Sequence, residues 1–378
     1  MIVEQLRRFL YPTLILLLAV AVGSATAGHP ADIPIPDEDD EQSASGSPSS
    51  PFWDNIQLNG KFDATFDFAQ KDHPRAKHNG NSLANWSNYH SFLFLNVRFP
   101  PDVTFLGTIY VGERNVQHFF QVERRITRNL RLAFGRILVP FGYSNFHRFY
   151  GGVGGYVYES KMVPSIWAEP GINFQYREEL ARGLDVEGDT YFIRRSPATH
   201  SSVVLSSSAS DKAGIGQRVK FVILSYTTVW GSAFYDTYDN AAGDHMDELL
   251  YGADIRHDFS WLGVPYVRSL VVTAGFASLN RDDAFDFGDF RSQYYGDYVR
   301  LTMNCWSRVR PQLTYGTFAN DSFTEPDVSR EHHFVASVTI PDGNLSYLIQ
   351  YQRNWEDTRG GAAQREDDLL RVQLLFEF

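Results

Sequence analysis

The chain has 378 residues, 43% hydrophobic and 15% aromatic, with a net charge of -11. An acidic balance without a basic block excludes an electrostatic nucleic-acid-binding surface. A lone cysteine, Cys305, excludes an internal disulfide, so an exported form needs another source of stability.

The N-terminus points to export. Arg7 and Arg8 precede an apolar run from Phe9 to Val22, and Ala25-Thr26-Ala27 offers a small-residue cleavage site. Residues 1–27 read as a signal peptide. The run falls short of the roughly 20 residues of a membrane-spanning helix. No cysteine follows it, which argues against a lipoprotein. Residues 28–53 hold Asp32, Asp37, Glu38, Asp39, Asp40 and Glu41, then a Ser/Pro-rich stretch, the composition of a disordered periplasmic leader.

Residues 54–378 carry a period-2 signal. Ile56, Leu58, Phe62, Ala64, Phe66 and Phe68 alternate with Gln57, Asn59, Lys61, Asp63, Thr65 and Asp67. The pattern predicts strands over 54–69, 86–99, 103–112, 117–126, 130–139, 166–178, 183–195 and 214–223. It continues over 227–239, 248–259, 265–279, 293–307, 311–320, 331–340, 345–357 and 367–378. Sixteen strands, many longer than the 5–6 residues usual in soluble sandwiches, predict an all-β transmembrane antiparallel barrel. Starting in the periplasm, the inner connections are all short, among them 100–102, 127–129, 179–182 and 341–344. Most outer ones are long: 70–85, 140–165, 196–213 and 280–292. That asymmetry is the one membrane barrels show. Trp53, Trp86, Tyr89, Trp167, Tyr235, Trp261, Tyr294, Trp306 and Trp355 lie near strand ends, where two interfacial girdles are expected.

The third outer connection is the longest and unusually aromatic, with Tyr143, Phe146, Phe149, Tyr150, Tyr156 and Tyr158. Such a segment should pack against something, and the free space is the lumen. Residues 143–165 are therefore expected to fold inward and narrow the channel. The segment carries His147, Arg148 and Lys161 against Glu159, a slight preference for anions. The acidic outer run "RDDAFDFGDF" (281–290) would oppose it at the mouth.

"LRLAFGRILVPFG" (130–142) and the following "PSIWAEPGINFQY" resemble the phosphate-selective porin O and P type family. The resemblance places Gly135, Arg136, Pro140, Phe141 and Gly142 at a strand-to-loop junction. It implies a sixteen-stranded, usually trimeric diffusion channel of the outer membrane, passing small solutes or inorganic ions. The lysine-rich stretches of phosphate-selective members have no counterpart here. The C-terminal Phe378 matches the terminal Phe that, in such proteins, the barrel-assembly machinery reads.

Parity assigns the inner wall. With the alternating apolar residues toward lipid, the inward bases are Lys61, Arg98, Arg131, Arg177, Arg218, Lys220, Arg256, Arg300 and Arg371. The inward acids are Asp63, Asp67, Glu123, Asp185, Glu187, Asp189, Asp254 and Glu377. Either rows of opposite sign face each other across the lumen, or they pair along the wall. The expected constriction set is His147, Arg148, Glu159 and Lys161 with Arg98, Arg131, Arg177 and Glu123.

No metalloprotease, P-loop, nucleophile-elbow or paired C-x-x-C pattern occurs. His332 and His333 are adjacent, so on a strand they face opposite ways. No cofactor is expected. The competing functions are a barrel hydrolase, a specific transporter and a surface adhesin.

Overall fold

The computed structural model describes residues 55–69, 84–112, 116–143, 162–163, 167–195, 213–239, 245–283, 291–305, 309–322, 330–357 and 366–378. The expected signal peptide and leader lie outside the described residues.

Backbone N–H and C=O groups in lipid need internal partners, and a sheet meets that demand only by closing on itself. Sixteen strands do so. They are β1 (Ile56–Ala69), β2 (Ala84–Phe99), β3 (Val103–Gly112), β4 (Val116–Arg125), β5 (Leu130–Leu138), β6 (Ala168–Ala181), β7 (Leu184–Ile193) and β8 (Gly214–Ile223). There follow β9 (Thr227–Asp239), β10 (His245–Asp258), β11 (Val267–Asp283), β12 (Arg291–Cys305), β13 (Arg310–Ser322), β14 (Arg330–Asp342), β15 (Leu345–Asp357) and β16 (Glu366–Glu377). Each pairs antiparallel with its sequence neighbours, and β1 pairs with β16 to close the barrel. The shortest strand, β5, has 9 residues and the longest, β11, has 17. A tilted span of a bilayer needs about 9–11.

Alternation decides what each face meets. Leu58, Phe62, Phe134, Phe174, Phe276, Val299 and Ile349 are all exposed, and with their like they form an apolar outer surface. Their inward neighbours are mostly polar or charged. Lipid contact makes the outer set favourable, and a charge there at the midplane would cost about 2–4 kcal/mol.

The seam follows the same rule. Phe62 pairs with Phe376, Thr65 with Gln373 and Asp67 with Arg371. Phe378 exchanges both backbone hydrogen bonds with Gly60, at 2.8 and 3.0 Å. Gly60 is outward by parity, and a side chain there would overlap the Phe378 ring. The glycine is thus a notch in the outer wall that the last ring covers.

Several boundaries shift by a few residues from expectation, and two of the shifts have a clear cause in the pairing. The strand before the third inner turn runs on to Ala181, with an irregular register between Glu179 and Ala181, so the turn shrinks to 182–183. Pairs Glu179–Asp185 and Ala181–Leu184 claim Glu179 and Ala181 from the expected turn. At the other end, Arg281 to Asp283 belong to β11, not to an acidic loop. Register sets Arg281 opposite Glu248, and that pairing extends the strand. Of the expected acidic run, 284–290 lies outside the described residues.

Candidate functional site

The base of the third outer connection is built at the end of β5. The β4–β5 ladder stops at the pair Gln121–Gly135, while the β5–β6 ladder continues to Leu138–Ala168. Gly135 has φ 126, and a Cβ there would lie 2.5 Å from the Phe120 carbonyl oxygen. Only glycine tolerates both conditions. At this point the β5–β6 hairpin parts from β4. The Gln121 side-chain oxygen accepts from the Leu138 N–H at 3.4 Å, a partial replacement for the lost ladder. Arg136 stitches the hairpin from its other side, Nε donating to Ala168 O at 3.2 Å, and Val139 N–H donates to Trp167 O at 2.8 Å.

The chain then leaves the wall. Gly142 N–H donates to Ser232 Oγ on β9 at 2.9 Å, and Tyr143 N–H donates to Asp254 Oδ2 on β10 at 3.0 Å. Following the wall from β5 to β10 takes five strand spacings, about 24 Å. The five residues from Leu138 to Tyr143 reach about 17 Å at full extension. The segment therefore cuts a chord through the interior.

Asp254 is the anchor. Its Oδ1 accepts from the Tyr298 hydroxyl on β12 at 2.8 Å, and its side chain is buried. Gly142 has φ 63 and its missing Cβ would sit 2.9 Å from Asp254 Oδ2, so the approach needs glycine. The Tyr143 ring meets Trp230 edge-on at 5.1 Å between centroids.

Around this anchor the inner wall is apolar. Phe141, Met162, Val163 and Trp167 pack with Ala133, Ile137, Tyr191, Ile193, Phe234 and Leu250 in one buried cluster. Trp167 lies 5.1 Å from the Phe234 ring and 6.1 Å from Phe141. Burying each large apolar side chain contributes about 1.5–3 kcal/mol against leaving it in lumen water. The described ends of the third connection, 139–143 on one side and 162, 163 and 167 on the other, are thus fixed inside the wall.

No protein-family model and no curated sequence matches this chain. Solved structures do. An anion-selective porin from Comamonas acidovorans superposes with a TM-score of 0.58 at 11% identity, covering 85% of this chain and 99% of that one. OmpF of Salmonella typhi, in complex with daunomycin, gives 0.57 at 13%, covering 87% and 99%. The trimer form of OmpT from Vibrio cholerae gives 0.54 at 9%, covering 85% and 99%. The fold is that of a porin barrel.

Of the expected constriction set, His147, Arg148, Glu159 and Lys161 lie outside the described residues. Arg98, Arg131, Arg177 and Glu123 sit on β2, β5, β6 and β4, within a few residues of the short-turn end. Arg98, Arg131 and Arg177 are therefore remote along the strands from the point where the third connection leaves β5, whereas Glu123 accepts from Gln121 Nε2 at 2.6 Å, the side chain whose oxygen holds Leu138 N–H. Gly135, Arg136, Pro140, Phe141 and Gly142 do form one junction, and they supply the bend, the stitch and the approach to Asp254.

The inward charges pair along the wall. Arg218 reaches Asp189 at 2.7 Å, Lys220 reaches Glu187 at 3.0 Å, and Arg177 approaches Glu187 at 3.6 Å. Lys61 meets Glu377 at 2.5 Å, and Arg371 holds Asp67 through two hydrogen bonds of 2.9 and 3.1 Å. Each pair joins adjacent strands, so these particular charges cancel locally instead of opposing each other across the lumen.

Two girdle residues turn inward. Trp167 is buried in the cluster, and Tyr294 stacks on Phe318 at 6.4 Å beneath the Arg281 guanidinium. An aromatic at a strand end suits either place, and sequence position does not choose. Tyr235 and Trp261 are exposed, as a girdle requires, and Trp355 stacks on His332 at 5.1 Å. Trp53 and Trp306 lie outside the described residues. His332 and His333 face opposite ways. His332 bonds the Tyr315 hydroxyl at 2.8 Å on the outer face, and His333 bonds Asn354 at 2.8 Å on the inner.

Sequence reasoning missed an ionic knot. Arg195, just past β7, is fully enclosed and contacts Asp236 at 2.5 Å as well as Glu248. Arg281 reaches the other oxygen of Glu248 at 2.7 Å. The Phe234 and Tyr238 rings lie 5.7 and 5.4 Å from the Arg195 guanidinium. Parity could have set Glu248 inward, since Tyr251, Ala253 and Ile255 take the alternating outward positions of its strand.

Proposed function

We propose that this chain is an outer-membrane porin, a water-filled diffusion channel for small hydrophilic solutes or ions. One observation carries the reading: a closed sixteen-strand wall, apolar outside and polar inside, whose third connection is pinned across its interior. An apolar exterior suits lipid, and a polar interior with a narrowing element suits size-limited passage. On this reading residues 1–27 direct export, 28–53 form a periplasmic leader, and the barrel-assembly machinery of a Gram-negative outer membrane reads Phe378. The channel works without chemistry on its solutes. The trimer form of OmpT, which shares the fold, supports a homotrimer.

The finer reading is a relative of the phosphate-selective porin O and P type, supported by the run from Gly135 to Gly142. Without a lysine cluster, the selectivity is weak and toward anions, carried by His147, Arg148 and Lys161 against Glu159. The Comamonas acidovorans neighbour, named as anion-selective, is consistent with that sign. Purified protein in planar bilayers should give stable conductance steps, grouped in threes. Reversal potentials across a KCl gradient should show a small chloride preference that Arg148→Ala reduces. Absence of steps would favour the hydrolase or adhesin alternatives, and an unchanged reversal potential would remove the role of Arg148.

A further inference from the structure

The inner connection between β10 and β11 is built unlike its neighbours. Residues 259–266 read "FSWLGVPY" and carry no charge. Three of the other inner turns hold a charged residue, Asp102, Arg128 or Arg182. Trp261, Leu262, Val264 and Tyr266 are 44%, 49%, 41% and 74% exposed. A turn ending in water gains nothing from large apolar side chains. A cluster of them on a surface marks a contact with something else.

The exposure is fixed by the backbone. Asp258 Oδ1 accepts from the Ser260 N–H at 2.8 Å and opens a single 3-10 turn, Ser260–Leu262, in which no residue is buried. Leu262 N–H donates to Phe259 O at 3.0 Å, Gly263 N–H to Ser260 O at 3.2 Å and Val267 N–H to Val264 O at 3.1 Å. The main chain thus meets its own needs and holds the side chains out. Tyr266 has φ 66, a region that bulky side chains rarely adopt, and its ring is the most exposed of the four. Strain of this kind persists at places that contact ligands.

Arg268 stands next to the cluster. Val267 pairs with Cys305 and Ser269 with Asn304, which leaves Arg268 as the extra residue of a β-bulge. Bulges re-aim a side chain. Arg268 is exposed, and among the described residues no carboxylate lies within ion-pair distance of it.

Position selects the occupant. Phe276 and Val299 are exposed on the outer face, and parity puts Leu270 and Met303, partners on β11 and β12, on that face too. The lipid-facing wall therefore runs down to within a few residues of Tyr266. The short-turn end of a membrane barrel is its periplasmic end. Trp and Tyr favour the headgroup level there. A guanidinium offers parallel N–H donors to a phosphate. An apolar edge continuous with the wall, two amphipathic rings and one exposed guanidinium match a glycerophospholipid.

We propose that residues 261–268 form a phospholipid-binding foot, seated in the headgroup layer of the periplasmic leaflet with Arg268 on the lipid phosphate. The inference adds a lipid contact to the porin reading and rests on its placement in a membrane. Full-length protein carrying Cys305→Ser takes a fluorescent NBD label at Leu262→Cys, or at Asn344→Cys in the polar β14–β15 turn as reference. In vesicles of phosphatidylethanolamine and phosphatidylglycerol, nitroxide-bearing lipid should quench the Leu262 label. Iodide should quench it about fivefold less steeply than the Asn344 label. Equal access of iodide to both would put the turn in water and overturn the proposal. Protection from iodide without nitroxide quenching would mean that a protein, such as a second copy, covers the turn, and would overturn it too. In detergent, native mass spectrometry should show bound phosphatidylglycerol, weakened about fivefold by Arg268→Gln. Diacylglycerol, which lacks the phosphate, should bind both forms alike. Unchanged phosphatidylglycerol binding in Arg268→Gln would overturn the site. Should that variant not assemble, Trp261→Ser/Leu262→Ser tests the same foot, with the same loss expected. Protein that fails to float with vesicles at all would overturn the membrane placement itself, a separate result.

Discussion

Two parts of the inner wall solve opposite problems. Along β5 to β13 the lumen side is apolar around the third connection, with an enclosed ionic knot of two bases and two acids beside it. Along β14 to β16 and β1 the same face mixes amides and hydroxyls with Val335, Leu348 and Leu369 and with the paired charges Arg371–Asp67 and Lys61–Glu377. The first part behaves like the core of a soluble protein and holds the described ends of the third connection in place. The inner wall of a barrel with this fold thus need not be uniform: one arc is packed like a core and the other is lined largely by polar groups.

The sharpest way to break this contrast is Glu248→Ala. It leaves Arg195 and Arg281 enclosed with Asp236 as the remaining acid of the knot, and removing one member of a buried ion pair costs about 3–5 kcal/mol. The thermal midpoint of the detergent-solubilised barrel, read by the shift in gel mobility on heating, should fall clearly. An unchanged midpoint would mean that the knot is hydrated.

Asp254→Ala should come next. It strips acceptors from Tyr143 N–H and the Tyr298 hydroxyl, for about 2–4 kcal/mol at two charge-assisted bonds. Its distinctive readout is electrical. With the chord unpinned, single-channel current should become noisier and mean conductance should rise. A quiet channel of native size would show that the apolar cluster alone holds the segment.

The smallest effect is expected in the second arc. Asp67→Asn keeps an acceptor for Arg371 but removes the neutralising charge, costing about 1–2 kcal/mol. Reversal potential should move toward chloride, because one guanidinium now faces the lumen uncompensated. No movement would place Arg371 out of reach of passing ions.

Much of this was legible from residue alternation. The strands at 103–112, 214–223, 227–239 and 345–357 were expected at the residues where they occur. There the alternation is clear and the inner turn at one end of each strand is short. Period 2 also assigned Lys61, Asp67, Arg218 and Arg371 inward, since a charge in lipid is costly. What alternation does not encode is contact across the barrel. Arg195, past β7, meets Glu248 of β10 only because the wall curves, whereas Arg281 of β11 is the register partner of Glu248. Trp167 and Tyr294 went astray for a related reason: the inner wall is itself apolar around the third connection. Once both faces accept rings, an aromatic no longer reports which face it is on. The role of Asp254 was hidden likewise, since its parity was clear but its partner, a backbone N–H of a distant connection, was not.

The pair Arg371–Asp67 has one more consequence. Its members stand 304 residues apart in the chain. Neighbouring strands are joined by a local connection that limits how far one can slide along the other. The β1–β16 ladder has none, and bringing such distant segments together costs about 5 kcal/mol in chain entropy. A slip by one residue would point Arg371 at lipid and Phe376 at water. The bidentate pair, with the Phe378 ring over the Gly60 notch, therefore acts as a key that fits one alignment. It lets the two farthest strands find their register without a hairpin to guide them.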